Sequence, residues 1–175
     1  MSGVRRCVPG WGIAVAVALA ATVGAVMVLR GAGGEATTVG PVGGVRPATA
    51  PFAGLTAGRL RVGGKDLSVV VADSLAEREQ GLRGRAAAAP YDGMLFVFGS
   101  DADADVSFTM AGVPAPLEIG FYDPSGRRAD RLSMEPCAGT DATCPRYTVA
   151  RPFRYALEVA PGALPPGRLT RAPSS

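Results

Sequence analysis

The 175-residue chain contains no histidine. That absence excludes a Ser-His-Asp triad, a Cys-His nucleophile and any imidazole metal ligand. Cysteine is scarce, with three copies, Cys7, Cys137 and Cys144. Two cysteines in the body of the chain, with no histidine to complete a ligand set, argue against a zinc centre. Long helical runs are few, whereas proline (15) and glycine (24) are abundant. Such a chain reads as many short strands joined by turns. A basic surface is lacking as well. The net charge is +3, but from Gly54 onward 14 Lys and Arg balance 14 Asp and Glu, and the surplus sits at Arg5, Arg6, Arg30 and Arg46 against Glu35 alone. No nucleic-acid partner is expected, because phosphate neutralisation needs a basic face. No internal repeat appears and no cofactor is implied.

What is present begins with Trp11–Leu29, an uncharged apolar run of 19 residues. As a helix it would rise about 28 Å, close to the hydrocarbon thickness of a bilayer. Arg5 and Arg6 precede it and Arg30 follows, which predicts an N-terminus inside and the remainder outside. The rival reading is a cleaved signal peptide leading to secretion. The run is long for a signal core, and its best small-residue cleavage pattern, Ala18-Leu19-Ala20, falls in its middle, so length favours the anchor. A buried core helix fits poorly because no polar face exists, and no cysteine lies where a lipoprotein anchor needs one. The expected organisation is a cytoplasmic N-terminus over 1–10, a single transmembrane helix over 11–29, a flexible linker over 30–58, a β domain over 59–165 and a frayed tail over 166–175. The domain would then stand on the extracytoplasmic side of a cell membrane.

Within the domain, Leu67–Ala72 (LSVVVA) is a continuous β-branched run and predicts a buried strand. Ser74 and Glu77 have the spacing of a capping box, so a short helix should start there and run to about Arg83, with Leu75 and Leu82 on one face and Gly84 as its stop. Gly93–Phe98, Val106–Met110 and the segment PLEIGFYD read as further strands. Leu117, Ile119 and Phe121 alternate along the last of these, giving one dry face. Asp123-Pro124-Ser125-Gly126 suits a type I turn into a return strand, Arg127–Met134. Phe153–Val159 is another strand, with Phe153, Tyr155, Leu157 and Val159 assigned to one face.

The ordered series VADSLAEREQGLRGR, DGMLFVF, FTM, PLEIGFYDPSGR, MEPC, CPRY and RYALEVAPG resembles the DUF192 (UPF0127) family over roughly Leu67–Gly162. The resemblance implies a β-sandwich or jelly-roll-like fold with one short helix, and it implies no biochemical activity. One stretch departs from the family pattern. Relatives carry Phe-Trp-Met-Lys-Asn-Thr where this chain has Phe108-Thr109-Met110-Ala111-Gly112-Val113, so the aromatic, the cation and the amide are missing. Glu118 stands where the family has Asp.

Cys137 and Cys144 bracket a polar loop and predict a structural disulfide in an oxidising compartment. Closing a loop of that length is worth about 2.5 kcal/mol in the chain-entropy model. The spacing is too wide for a redox pair with two intervening residues. Asp101, Asp103 and Asp105 alternate as calcium ligands do, but Val106 and Gly112 stand where an EF-hand needs Gly and Glu, which leaves a solvated acidic loop as the favoured reading. Arg78, Arg83 and Arg85 could hold an anion, or form a solvated face pairing with Glu77 and Glu79.

Met94, Phe96, Phe108, Met110, Met134 and Tyr155 could line an apolar pocket beside Glu118 and Glu158, although an ordinary core is the favoured reading. Alternation puts both glutamates on a solvent face, while a paired-carboxylate acid/base site needs them close together. The residues carried forward as ligand candidates are Arg85, Met94, Phe108, Met110, Glu118, Met134, Tyr155 and Glu158. Three functions follow in order: a non-catalytic module binding a small ligand, a glycan or an envelope partner; a structural or assembly protein of the envelope; and a carboxylate-dependent hydrolase.

Overall fold

The computed structural model describes residues 40–173. Cys7 and the apolar run Trp11–Leu29 lie outside the described residues, and among the described residues no helix is long and apolar enough to cross a membrane.

The fold is mainly β, with one short helix. Ten strands are present among the described residues: β1 (Gly43–Pro47), β2 (Thr56–Val62), β3 (Lys65–Ala72), β4 (Gly93–Ala102), β5 (Phe108–Thr109), β6 (Leu117–Tyr122), β7 (Arg128–Met134), β8 (Arg146–Tyr147), β9 (Phe153–Val159) and β10 (Leu169–Arg171). Eight of them form one open sheet in the order β1-β2-β3-β4-β9-β6-β7, with β10 also paired to β2, and β5 and β8 form a separate ribbon. A jelly roll opposes two sheets of similar size. Here the second sheet has only two strands, and the large sheet buries apolar side chains on both of its faces.

The hydrogen-bonded path is antiparallel except between β3 and β4, which run parallel. Parallel neighbours need a crossover, and helix α1 (Leu75–Gln80) lies in it. The capping box forms as the sequence predicts. Ser74 Oγ accepts from the Glu77 N–H, and the Glu77 carboxylate accepts from the backbone N–H of Ser74 and of Asp73. The helix stops sooner than expected, at Gly81, whose φ of 47° breaks the helical path before Arg83 is reached. Leu75 and Leu82 therefore do not share a helical face. Leu82 is buried beyond the helix end, while Leu75 is 65% exposed.

Side chains of β3 alternate between the two faces, Val70 and Ala72 to one and Val69 and Val71 to the other, which is why the run is β-branched throughout. The same holds for β6. Leu117, Ile119 and Phe121 meet the first cluster, and every residue of the strand is buried, so the opposite face is dry too. The β6–β7 turn closes through the Gly126 N–H to the Asp123 carbonyl, at 2.8 Å. In β9, Tyr155, Leu157 and Val159 share a face, but Phe153 joins the other cluster. A register shift against β4, from Val97 opposite Tyr155 to Ala102 opposite Phe153, breaks the alternation at Arg154.

The ordered domain is wider than 59–165. Strand β1 and half of β2 fall in the stretch read as a linker, and Val42 and Phe52 there are buried. Ala, Gly and Thr around them hide the strand signal. At the other end β10 extends β2, and two glycine turns hold it. The Gly63 N–H donates to the Arg168 carbonyl, and the Leu169 N–H donates to the Gly126 carbonyl. A Cβ at Gly63 would stand 1.7 Å from the Pro166 oxygen, and one at Gly126 would stand 1.9 Å from the Leu169 oxygen, so only glycine admits this approach.

Candidate functional site

The parallel crossover leaves an opening on one face of the sheet. Helix α1 and the Gly81–Arg83 turn form its roof, Phe96 and Phe98 of β4 its floor, and the β5–β8 ribbon its far wall. The open cavity measures about 680 Å³, within the range of small-molecule sites. Its apolar lining continues into the core through edge-to-face phenylalanine contacts. Phe96 meets Phe108 at 5.4 Å between centroids, Phe108 meets Phe121 at 5.5 Å, and Phe98 meets Phe153 at 5.3 Å.

Three arginines line the cavity, each already engaged. Arg78 donates to the carbonyls of Asp73 and Val97 (2.9 Å for the latter) and lies over the Phe98 ring at 5.0 Å. Arg83 donates to the Ala111 carbonyl and to the Asp141 carboxylate, both at 2.6 Å. Arg146 donates to the Asp141 carbonyl at 2.9 Å and to Ser107 Oγ at 3.3 Å. The predicted disulfide, Cys137–Cys144, is present. It closes the loop that carries Asp141, so the covalent link and the Arg83–Asp141 pair together set the outer wall. Carbonyls, Ser107 and Asp141 take up part of the donors of the arginine cluster.

Glu158 also lines this cavity. It is 5% exposed, and its register neighbours, Met94 on β4 and Ile119 on β6, are both apolar. Burial alone pushes its carboxyl up to about 8, and no cation or donor among the described residues opposes that shift. At neutral pH the side chain is therefore mostly a protonated acid, able both to donate and to accept.

Glu118 contrasts with it. It is 2% exposed and sits on the opposite face of the sheet, where it ion-pairs with Arg131 and accepts from the Gly162 N–H at 3.2 Å. The expectation that both glutamates face solvent is thus overturned, since both faces of this sheet are covered. Their opposite orientation also removes the two-carboxylate acid/base site, because no substrate bond can lie between them.

Of the ligand candidates, Phe108 and Glu158 border the cavity, as do Phe96, Arg78 and Arg83. Arg85 lies elsewhere. It stacks on Phe52 at 4.8 Å, donates to the Pro51 carbonyl, and borders a smaller hollow of about 260 Å³ on the other side of α1. Met94, Met110 and Met134 are fully buried core, and Tyr155 packs on the other face of the sheet. Sequence reasoning missed Phe98, Ser107, Thr109, Asp141 and Arg146 as lining residues. The signal closest to hand was the FTMAGV departure, since Phe108, Thr109 and Val113 all lie at the cavity. In the acidic loop, Asp101 pairs with Arg154 at 2.7 Å and Asp103 accepts from the Asp105 N–H. Among the described residues no three metal-ligating side chains converge.

Residues 58–168 match the DUF192 family model, described as an uncharacterized ACR. A crystal structure from Sinorhizobium meliloti, described as a proposed transcription regulator, is 30% identical, with a TM-score of 0.51 over 63% of this chain and 88% of that one. A protein of unknown function from Novosphingobium aromaticivorans is 22% identical, with a TM-score of 0.58 over 76% of this chain and 97% of that one, a likeness of fold alone. No curated protein matches the chain.

Proposed function

The chain belongs to the DUF192 family, and we propose that it is a non-catalytic module binding a small ligand in the cavity between α1, β4 and β5, tethered at the outer face of a membrane by Trp11–Leu29. The observation that carries the binding role is Glu158. A buried carboxyl without a partner is unfavourable for folding, and this one borders an open, aromatic-lined hollow where a ligand would supply the missing partner. The lining mixes apolar residues, Phe96, Phe98 and Phe108 among them, with about as many polar and charged ones. The tether rests on the sequence argument of length and flanking arginines. The Sinorhizobium meliloti relative is described as a proposed transcription regulator; direct binding of nucleic acid by this chain fits less well, because from Gly54 onward its charge is balanced.

Thermal-shift screening of the full-length chain against sugars, cell-wall fragments, amines, carboxylates and metals tests the binding role. At least one organic class should raise the melting temperature, and Thr109→Trp, which adds bulk at a residue lining the cavity, should abolish that rise. A blank screen would remove the reading. Protease added to intact spheroplasts tests the tether and should digest the domain without lysis.

A further inference from the structure

Glu158 lacks a counter-charge although three arginines line the same cavity. Arg78, Arg83 and Arg146 are held by carbonyls, Ser107 and Asp141. The two other acids at the cavity, Glu79 and Asp141, are exposed, and Asp141 is paired with Arg83. The strands on either side present Met94 and Ile119 to the carboxyl, neither of which titrates. Any cation that meets Glu158 must therefore come from outside the described residues. The apolar walls are the rings of Phe96, Phe98 and Phe108, and aromatic faces attract positive charge.

Building on the small-ligand reading above, we propose that the ligand is an organic cation, an ammonium group that ion-pairs with Glu158, carried on an apolar or aromatic body packed against Phe96, Phe98 and Phe108. A neutral acceptor would satisfy only the hydroxyl of the protonated acid. An ammonium has three donors, can satisfy both carboxylate oxygens, and gains charge assistance from the ionised acid. An anionic ligand could accept from the protonated acid but would be repelled by its ionised form, the opposite pH dependence to an ammonium's. Pairing requires the ionised acid, so ligand uptake below the midpoint near 8 releases the Glu158 proton to solvent.

The test uses three matched probes, phenethylamine, phenethyl alcohol and phenylacetate, titrated calorimetrically into the full-length chain in a neutral detergent. Phenethylamine should bind the tightest. Its affinity should rise by up to about tenfold per pH unit from about pH 6 to about pH 8 and then level off. Glu158→Gln, close in shape and uncharged, should weaken phenethylamine by at least about tenfold and flatten its pH profile, with little change for the alcohol. A pH-independent amine affinity in the unaltered chain overturns the proposal without reference to any variant. So does undiminished amine binding by Glu158→Gln. If the alcohol or phenylacetate binds as well or better, the cation assignment fails and the small-ligand reading survives. If none of the three binds, the cation assignment fails, and the broader reading falls only if the wide screen is also blank.

Discussion

The two faces of the large sheet solve the same problem differently. Each buries one glutamate on neighbouring strands, Glu118 on β6 and Glu158 on β9, one register step apart. On one face Arg131 and the Gly162 N–H enclose Glu118, and the side chain serves the fold by fixing the turn after β9. On the other face no polar or charged group among the described residues pairs with Glu158, and the space beside it stays open. Burial is nearly equal, so the partner decides what a buried acid is for. The paired one is architecture, and the unpaired one is available to a ligand.

The largest expected effect is on pH-dependent stability. The folded state holds the Glu158 proton up to about pH 8, whereas the unfolded chain loses it near 4.5. The folded state thus binds more protons across that window, and stability should fall as pH rises through it. The slope should reach about 1.4 kcal/mol per pH unit and level off above the folded midpoint. In Glu158→Gln this component of the slope should vanish, as denaturant melts at several pH values would show. An unchanged slope would mean that Glu158 is solvated or paired.

Next in size is the disulfide. Cys137→Ser with Cys144→Ser should lower stability by about 2.5 kcal/mol. It should also loosen the Arg83–Asp141 wall, visible as faster amide exchange across 137–146.

On the closed face, Arg131→Ala strands the Glu118 carboxylate and should cost about 1–3 kcal/mol by chemical denaturation, because a buried acceptor loses its charge partner. The exposure of Arg131 keeps this below the loss for a fully buried pair. If Arg131→Ala were neutral, the distinction between the two glutamates would blur.

The smallest stability effect should come from Thr109→Trp. Thr109 is half-buried at the cavity and its Oγ1 accepts from the Ala111 N–H, so the change should cost about 1 kcal/mol, yet it should eliminate ligand-induced shifts.

Much of the fold was legible where local rules agree. The LSVVVA run, the Ser74–Glu77 capping box, the Asp123–Gly126 turn and the Cys137–Cys144 link each rest on short-range chemistry, and each formed. What escaped depends on distant partners. Strands β1 and β10 carry weak local signals and exist because β2 offers them a hydrogen-bonding edge. The sidedness of Glu158 was hidden because alternation gives relative faces and not which faces are covered. The β9 register shift at Arg154 likewise arises from pairing with β4, which no window within β9 reveals. For the site, Phe108 and Glu158 were recognised as types, while Asp141 and Arg146 reach the cavity only because β8 pairs with β5.

The most direct measurement of the central claim is a carbon-13 NMR titration of the glutamate carboxyl carbons, assigned by loss of one resonance in Glu158→Gln. An unpaired, buried acid facing the cavity should titrate near 8. A midpoint in the ordinary glutamate range, near 4.5, would contradict the account.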